Sequence, residues 1–112
     1  MWRKTRAVNA GSSCRGVDPN RNFDVHHCET GASRDPCSDT YCGPSPFSEP
    51  CTAACRDEIM GTSNVVFAYS FHSYSQLLLM PYGYTNSHPA DYSDMVSMSS
   101  FTKEIQSVAL KA

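Results

Sequence analysis

No apolar run in this 112-residue chain approaches the roughly 20 residues that a membrane-spanning helix needs. A secretory leader is also missing, because Met1 is followed by Trp2, Arg3 and Lys4 and not by an apolar stretch. Neither sign of charge is in excess: nine basic and eleven acidic residues leave a net charge of −2. That balance argues against a nucleic acid or an anionic membrane surface as partner. The opening Trp2-Arg3-Lys4-Thr5-Arg6 is basic and aromatic, but it stands alone and makes a poor nucleic-acid footprint. Internal repeats are absent. Charged residues make up only 18% and apolar residues 40%, which excludes a coiled coil and a disordered tail. At this length the chain is one domain at most, or part of one.

What the chain does have is cysteine. Six in so short a sequence point to an oxidising compartment and hence to secretion. Secreted chemistry without a leader reads as a segment whose start lies upstream. Residues 11–48 hold four of the six, Cys14, Cys28, Cys37 and Cys42, in a stretch rich in Gly, Ser, Pro, Asp and Asn. A loop that long is usually functional or stapled.

Ser48-Glu49-Pro50 predicts a helix start, with Ser48 as cap, Glu49 complementing the dipole and Pro50 in the first turn. The helix should run to about Met60 and stop at Gly61. Val65 to Phe71 is a nearly continuous apolar and β-branched run, the pattern of a strand buried on both faces of an α/β sheet. Leu77 to Met80 reads as a second short strand. Met95, Met98, Ile105, Val108 and Ala109 fall at helical spacing, and this last helix reaches Ala112 without a stop signal.

His72 ends the first predicted strand in FHSYSQLLLMPYGYT, where ligands gather in open α/β sheets. Taken alone it reads as a core or turn histidine satisfied by hydrogen bonds, since no second histidine or carboxylate stands at ligand spacing. In GVDPNRNFD, Asp18-Pro19 starts a turn, after which Asn20-Arg21-Asn22 exposes an amide and a guanidinium side by side. An arginine fork beside an amide suits carboxylate capture, although a locally bonded turn explains it as well. His26-His27-Cys28 looks like a metal cluster, but neighbouring side chains in an extended stretch point apart. Cys51 and Cys55 have zinc-like spacing without a second ligand pair.

Taken together, GVDPNRNFD, GASRDPCSDTYCGP, SEP and FHSYSQLLLMPYGYT, in this order and with the opening MWRKTR, resemble the zinc metallocarboxypeptidases of the pancreatic A/B type. The likeness covers almost the whole chain and is weakest after His88. It implies that residues 1–112 are an internal part of one peptidase domain, incomplete at both ends, from a mixed-sheet, three-layer α/β fold. It implies one Zn2+ ion, with His72 as the third ligand. A His-x-x-Glu pair would lie upstream, and a glutamate base and a mobile tyrosine downstream. By the same resemblance Arg3 polarises the scissile carbonyl, Asn20 and Arg21 clamp the terminal carboxylate, Ser73 and Tyr74 line the pocket before the scissile bond, and Gly83 sits at the base of the pocket for the departing side chain.

The resemblance further implies the pairs Cys14–Cys37 and Cys28–Cys42, and cis bonds at Ser73–Tyr74 and Pro81–Tyr82. Cys51 replaces a glutamate that often completes a capping box in the family, and with Cys55 it is expected as a free thiol or as the partner of a group elsewhere. The implied partner is a peptide or protein with a free C-terminal carboxylate, met by a secreted monomer. Gly83 leans towards apolar C-terminal residues, while the loop cysteines look more like the branch that takes Lys and Arg. Two rivals remain: an inactive carboxypeptidase-like peptide binder, and a small independent disulfide module.

Overall fold

The computed structural model describes residues 1–74 and 77–100. The chain divides into two compact units, Met1–Ala68 and Tyr69–Ala112. Among the described residues no helix is long and apolar enough to cross a membrane.

The first unit is laced by backbone hydrogen bonds between stretches that are too short to form named strands. Val8 and Arg15 make an antiparallel bridge, and Ser33 and Tyr41 a parallel one. Thr5 N–H donates to Val17 O, Gly16 N–H to Ala7 O and Asp18 N–H to Tyr41 O, so residues 16–18 lie between two neighbours. Val17, Tyr41 and Cys42 are the buried hydrophobic residues, outnumbered by the buried polar Lys4, Asn9, Asp18, Asn22, Glu49 and Thr52. A polar centre of this kind is stable only if its groups are satisfied. Here they are: among the described residues, every buried side-chain nitrogen and oxygen has a partner.

Disulfides join Cys14 to Cys37, 23 residues apart, and Cys28 to Cys42, 14 apart. The two closures overlap, and chain-entropy reasoning gives the longer roughly 3 kcal/mol of stabilisation. Gly16 is required where the chain crosses the N-terminal stretch. Its φ is +82°, and a Cβ there would stand 2.0 Å from Thr5 O.

Helix α1 spans Pro50–Gly61. Its N-cap is Glu49, not Ser48, and Gly61 is its last residue, with Thr62 as C-cap. Glu49 makes no side-chain cap bond, because its carboxylate is turned inward to accept from the Thr5 and Ser48 hydroxyls. Cys51 and Cys55 are exposed on this helix as free thiols.

The run Val65–Phe71 forms no strand; Val66 and Phe71 are 90% and 93% exposed. A strand takes its stability from ladder partners and from cover on its faces, and the described residues contain no named strand to supply them. Leu77–Met80 holds one bridge position, at Leu78. In the second unit, helix α2 spans Tyr92–Ser100 and includes Met95 and Met98. Ile105, Val108 and Ala109 lie outside the described residues.

Candidate functional site

In the first unit the site is built on a short 3-10 turn, Pro19–Arg21, that carries Asn20 and Arg21. Asp18 caps it: its Oδ1 accepts from Asn20 N–H at 3.1 Å, while Pro19 fills the position where a missing N–H does no harm. Asn22 closes the turn, its N–H donating to Pro19 O. Of the two amides in Asn20-Arg21-Asn22, Asn20 is exposed and Asn22 fully buried, so the amide presented beside the Arg21 guanidinium is that of Asn20. Asn22 Nδ2 donates to Cys42 O, Ser45 O and Ser48 Oγ, and its Oδ1 accepts from Glu49 N–H and the Thr52 hydroxyl. One side chain thereby ties the turn to the loop of Cys42 and to the start of α1.

Arg21 donates through Nε to Gly31 O at 2.8 Å and through Nη1 to Asn20 O at 3.0 Å. Its Nη2 and the exposed side-chain amide of Asn20 have no hydrogen-bond partner among the described residues. Arg3 reaches the same turn. Its Nε and Nη2 both donate to Asp18 Oδ2, each at 2.9 Å, with the Arg3 side chain 48% exposed and that of Asp18 only 2%. The Nη1 edge of Arg3 is free among the described residues. The Asp18 carboxylate therefore holds the Arg3 guanidinium and the backbone N–H of Asn20, while Arg21 meets Asp18 only through its own N–H on the Asp18 carbonyl; in the sequence Asp18 is legible only as the start of a turn.

The second unit carries His72, Ser73, Tyr74 and Gly83, all exposed. His72 Nε2 lies 3.0 Å from Ser70 Oγ. With the proton on Nε2, that contact leaves Nδ1 as a lone-pair donor, the arrangement that suits a metal-ligating histidine. Among the described residues no group of three His, Cys, Asp or Glu could hold a metal ion, and His72 has no second candidate ligand beside it. The Ser73–Tyr74 and Pro81–Tyr82 bonds are cis. A Cβ at Gly83 would meet nothing within 4 Å, so no pocket base is formed there by the described residues.

The His26-His27-Cys28 cluster is dispersed. His26 Nδ1 pairs with Glu29 Oε2, His27 Nε2 lies 3.0 Å from Cys42 O, and Cys28 is in a disulfide.

The model of the family described as zinc carboxypeptidase matches residues 1–111. Rat (Rattus norvegicus) carboxypeptidase B is 54% identical over 96 residues, 85% of this chain and 23% of that protein. Mouse (Mus musculus) carboxypeptidase A2 is 50% identical over 95 residues, with the same shares of 85% and 23%. Bovine thrombin-activatable fibrinolysis inhibitor, solved in complex with a tick carboxypeptidase inhibitor, superposes with a TM-score of 0.76 at 42% identity, over 85% of this chain and 33% of that one. The chain thus spans less than a quarter of the length of these curated relatives. With a family model matching nearly end to end and identity near half across most of its length, this chain belongs to the zinc carboxypeptidase family.

Proposed function

We propose that the full-length protein is a secreted, monomeric zinc carboxypeptidase that hydrolyses the last peptide bond of peptides and proteins and releases the C-terminal amino acid. Beyond family membership, one observation carries this reading. Each candidate guanidinium group of the first unit is held through two of its nitrogens and keeps the third without a partner among the described residues. A cation fixed in this way can meet developing or resident negative charge without reorganising.

Arg21 and the free amide of Asn20 take the substrate's terminal carboxylate, with Arg21 offering Nη2. An internal peptide bond presents no such group, so the clamp restricts cleavage to the chain end. Arg3 offers its Nη1 edge to the scissile carbonyl and to the oxyanion that forms from it. Ser73 and Tyr74 line the pocket before the scissile bond, and Gly83 lies at the base of the pocket for the departing side chain. His72 supplies one nitrogen to a Zn2+ ion, and the remaining ligands and the general base belong to parts of the parent outside this chain. Bound zinc provides Lewis acidity and an activated water. Four of the six cysteines form disulfides, which persist where conditions are oxidising. The apolar run Val65–Phe71 is composed as a doubly covered strand, and in the complete domain it takes its place in a mixed, three-layer α/β sheet.

The test uses the full-length protein with peptides that differ only in a free or amidated C-terminus, and mass spectrometry of the products. Stepwise loss of single residues from free ends, abolished by chelation and restored by zinc, is expected. Cleavage that ignores amidation, or that survives metal removal, would sink the reading. Zinc-loaded protein that binds free-ended peptides without cutting them would assign the chain to an inactive binder instead.

A further inference from the structure

We propose that Glu49 is a positioning residue that fastens the carboxylate clamp to the stretch carrying Arg3, with its N–H serving one element and its carboxylate the other. This rests on the roles given above to Arg3 and to the Asn20–Arg21 turn. Glu49 stands at the N-cap of α1, yet its side chain makes no cap bond and the residue is only 4% exposed. Its N–H donates to Asn22 Oδ1, and Asn22 closes the turn of Asn20 and Arg21. Its Oε2 accepts from the hydroxyl of Thr5, which follows Arg3 by two residues. Its Oε1 accepts from Ser48 Oγ, which itself accepts from Asn22 Nδ2. Thr5 Oγ1 in turn accepts from Val17 N–H, so its one proton is committed to Glu49. Two bonded paths therefore run from Glu49 to the clamp turn, and one runs to the N-terminal stretch.

A free-ended peptide is gripped at its terminal carboxylate and polarised at its scissile carbonyl, so it senses any mismatch between the two elements. An amidated peptide is not gripped by the clamp and can follow Arg3 wherever that stretch settles. Loss of the Glu49 carboxylate should therefore act on the preference for a free end and not on turnover in general. A carboxylate turned away from the helix N–H groups and taken up by a distant hydroxyl adds little to α1 itself, which separates positioning from helix stability. The sensitivity is high. A misplacement of about 1 Å can cost on the order of 100-fold in rate, so roughly a quarter to a half of that shift corresponds to about 3- to 10-fold.

In the complete, zinc-loaded enzyme, Glu49→Ala should lower kcat for the free-ended peptide by about 3- to 10-fold. Its KM, and the turnover of the amidated peptide, should hardly change. Thr5→Val breaks the same link from the other end and should show the same split. The double variant should be no slower than the slower of the two single ones, since both remove one shared bond. Glu49→Gln should keep the unsubstituted preference, because a carboxamide can accept from Thr5 through its oxygen while its NH2 donates to Ser48 Oγ.

An unaltered preference in folded Glu49→Ala, beside a preference abolished in Arg21→Ala, would overturn the positioning role and leave the clamp standing. Equal losses on both peptides would overturn it too, since a general loosening spares no substrate. A preference that survives in Arg21→Ala would instead remove the clamp on which the proposal is built. Should Glu49→Ala and Thr5→Val fail to fold, the Thr5 hydroxyl proton of the unsubstituted enzyme decides. Slow exchange with water is expected of a proton held by Glu49, and exchange as fast as in a solvated threonine would overturn the link.

Discussion

Asn22→Ala is the substitution that most directly tests whether the turn carrying the proposed clamp is held by a polar core. The Asn22 side chain is fully buried and makes five hydrogen bonds, but its partners do not depend on it equally. Cys42 O keeps His27 Nε2 at 3.0 Å, and Ser45 O keeps the Ser48 N–H at 3.3 Å. The Thr52 hydroxyl keeps Glu49 O, and the Ser48 hydroxyl keeps Glu49 Oε1. Only the buried N–H of Glu49 would be left without an acceptor. An orphaned buried donor costs about 1–3 kcal/mol, and each bond that falls back on a second partner loses roughly 0.5 kcal/mol or a little more. With four such bonds the sum is about 3–5 kcal/mol. Asn22→Asp should be worse at neutral pH, because a carboxylate oxygen would replace Nδ2 against the carbonyls of Cys42 and Ser45. Urea unfolding of the full-length protein should show a lower midpoint with an unchanged slope. In the folded fraction, KM for free-ended peptides should rise, since Asn22 closes the turn that carries Arg21. A loss below about 1 kcal/mol, or an Asp variant more stable than the Ala variant, would refute the reasoning.

Arg21→Ala should lower kcat/KM on free-ended peptides by an amount equivalent to roughly 2–5 kcal/mol; amidated peptides, already poor, should lose little more, and equal proportional losses would defeat the clamp. Arg21→Lys should restore only part, because a single ammonium cannot hold Gly31 O and Asn20 O and also present a separate nitrogen such as Nη2 to the substrate. Gly16→Ala should destabilise far more than Gly31→Ala. Both positions have positive φ, at a conformational cost of about 1–2 kcal/mol, but only at Gly16 does the new Cβ collide, with Thr5 O at 2.0 Å; equal melting temperatures for the two variants would contradict this. Alkylation of folded protein without reductant should label Cys51 and Cys55 and spare the other four cysteines; protection of both helical thiols would show that they are engaged.

Features governed by local rules were legible in the sequence, and features governed by distant partners were not. Helix α1 follows from a proline in its first turn and a glycine at its end, so its span came within a residue at each end. Its cap was misassigned for a reason no local pattern contains. Thr5, 44 residues away, draws the Glu49 carboxylate inward, and Asn22, 27 residues away, accepts the Glu49 N–H. The strand expected at Val65–Phe71 has the right composition, yet composition records only what a segment can do when covered. Without a ladder partner among the described residues the same side chains are exposed.

Burial was the harder quantity to read, because in this loop it runs against hydropathy. Asp18 and Asn22 are among the least exposed residues, while Val8, Val25 and Phe71 lie at the surface. A scan that equates polar with outside therefore passes over the two residues that hold the candidate site. The available signal was positional: an Asp before Pro at the start of a turn, and an Asn four residues later at its close. A loop with so few apolar side chains cannot fix a binding surface by hydrophobic packing. It is held here by two disulfides and a set of buried acceptors and donors that leaves none unpaired among the described residues. That construction ties stability to recognition. Under the roles proposed above, the bonds that keep the loop folded also hold the turn that carries Arg21, so a loss of stability at Asn22 should also appear as weaker binding of free-ended peptides.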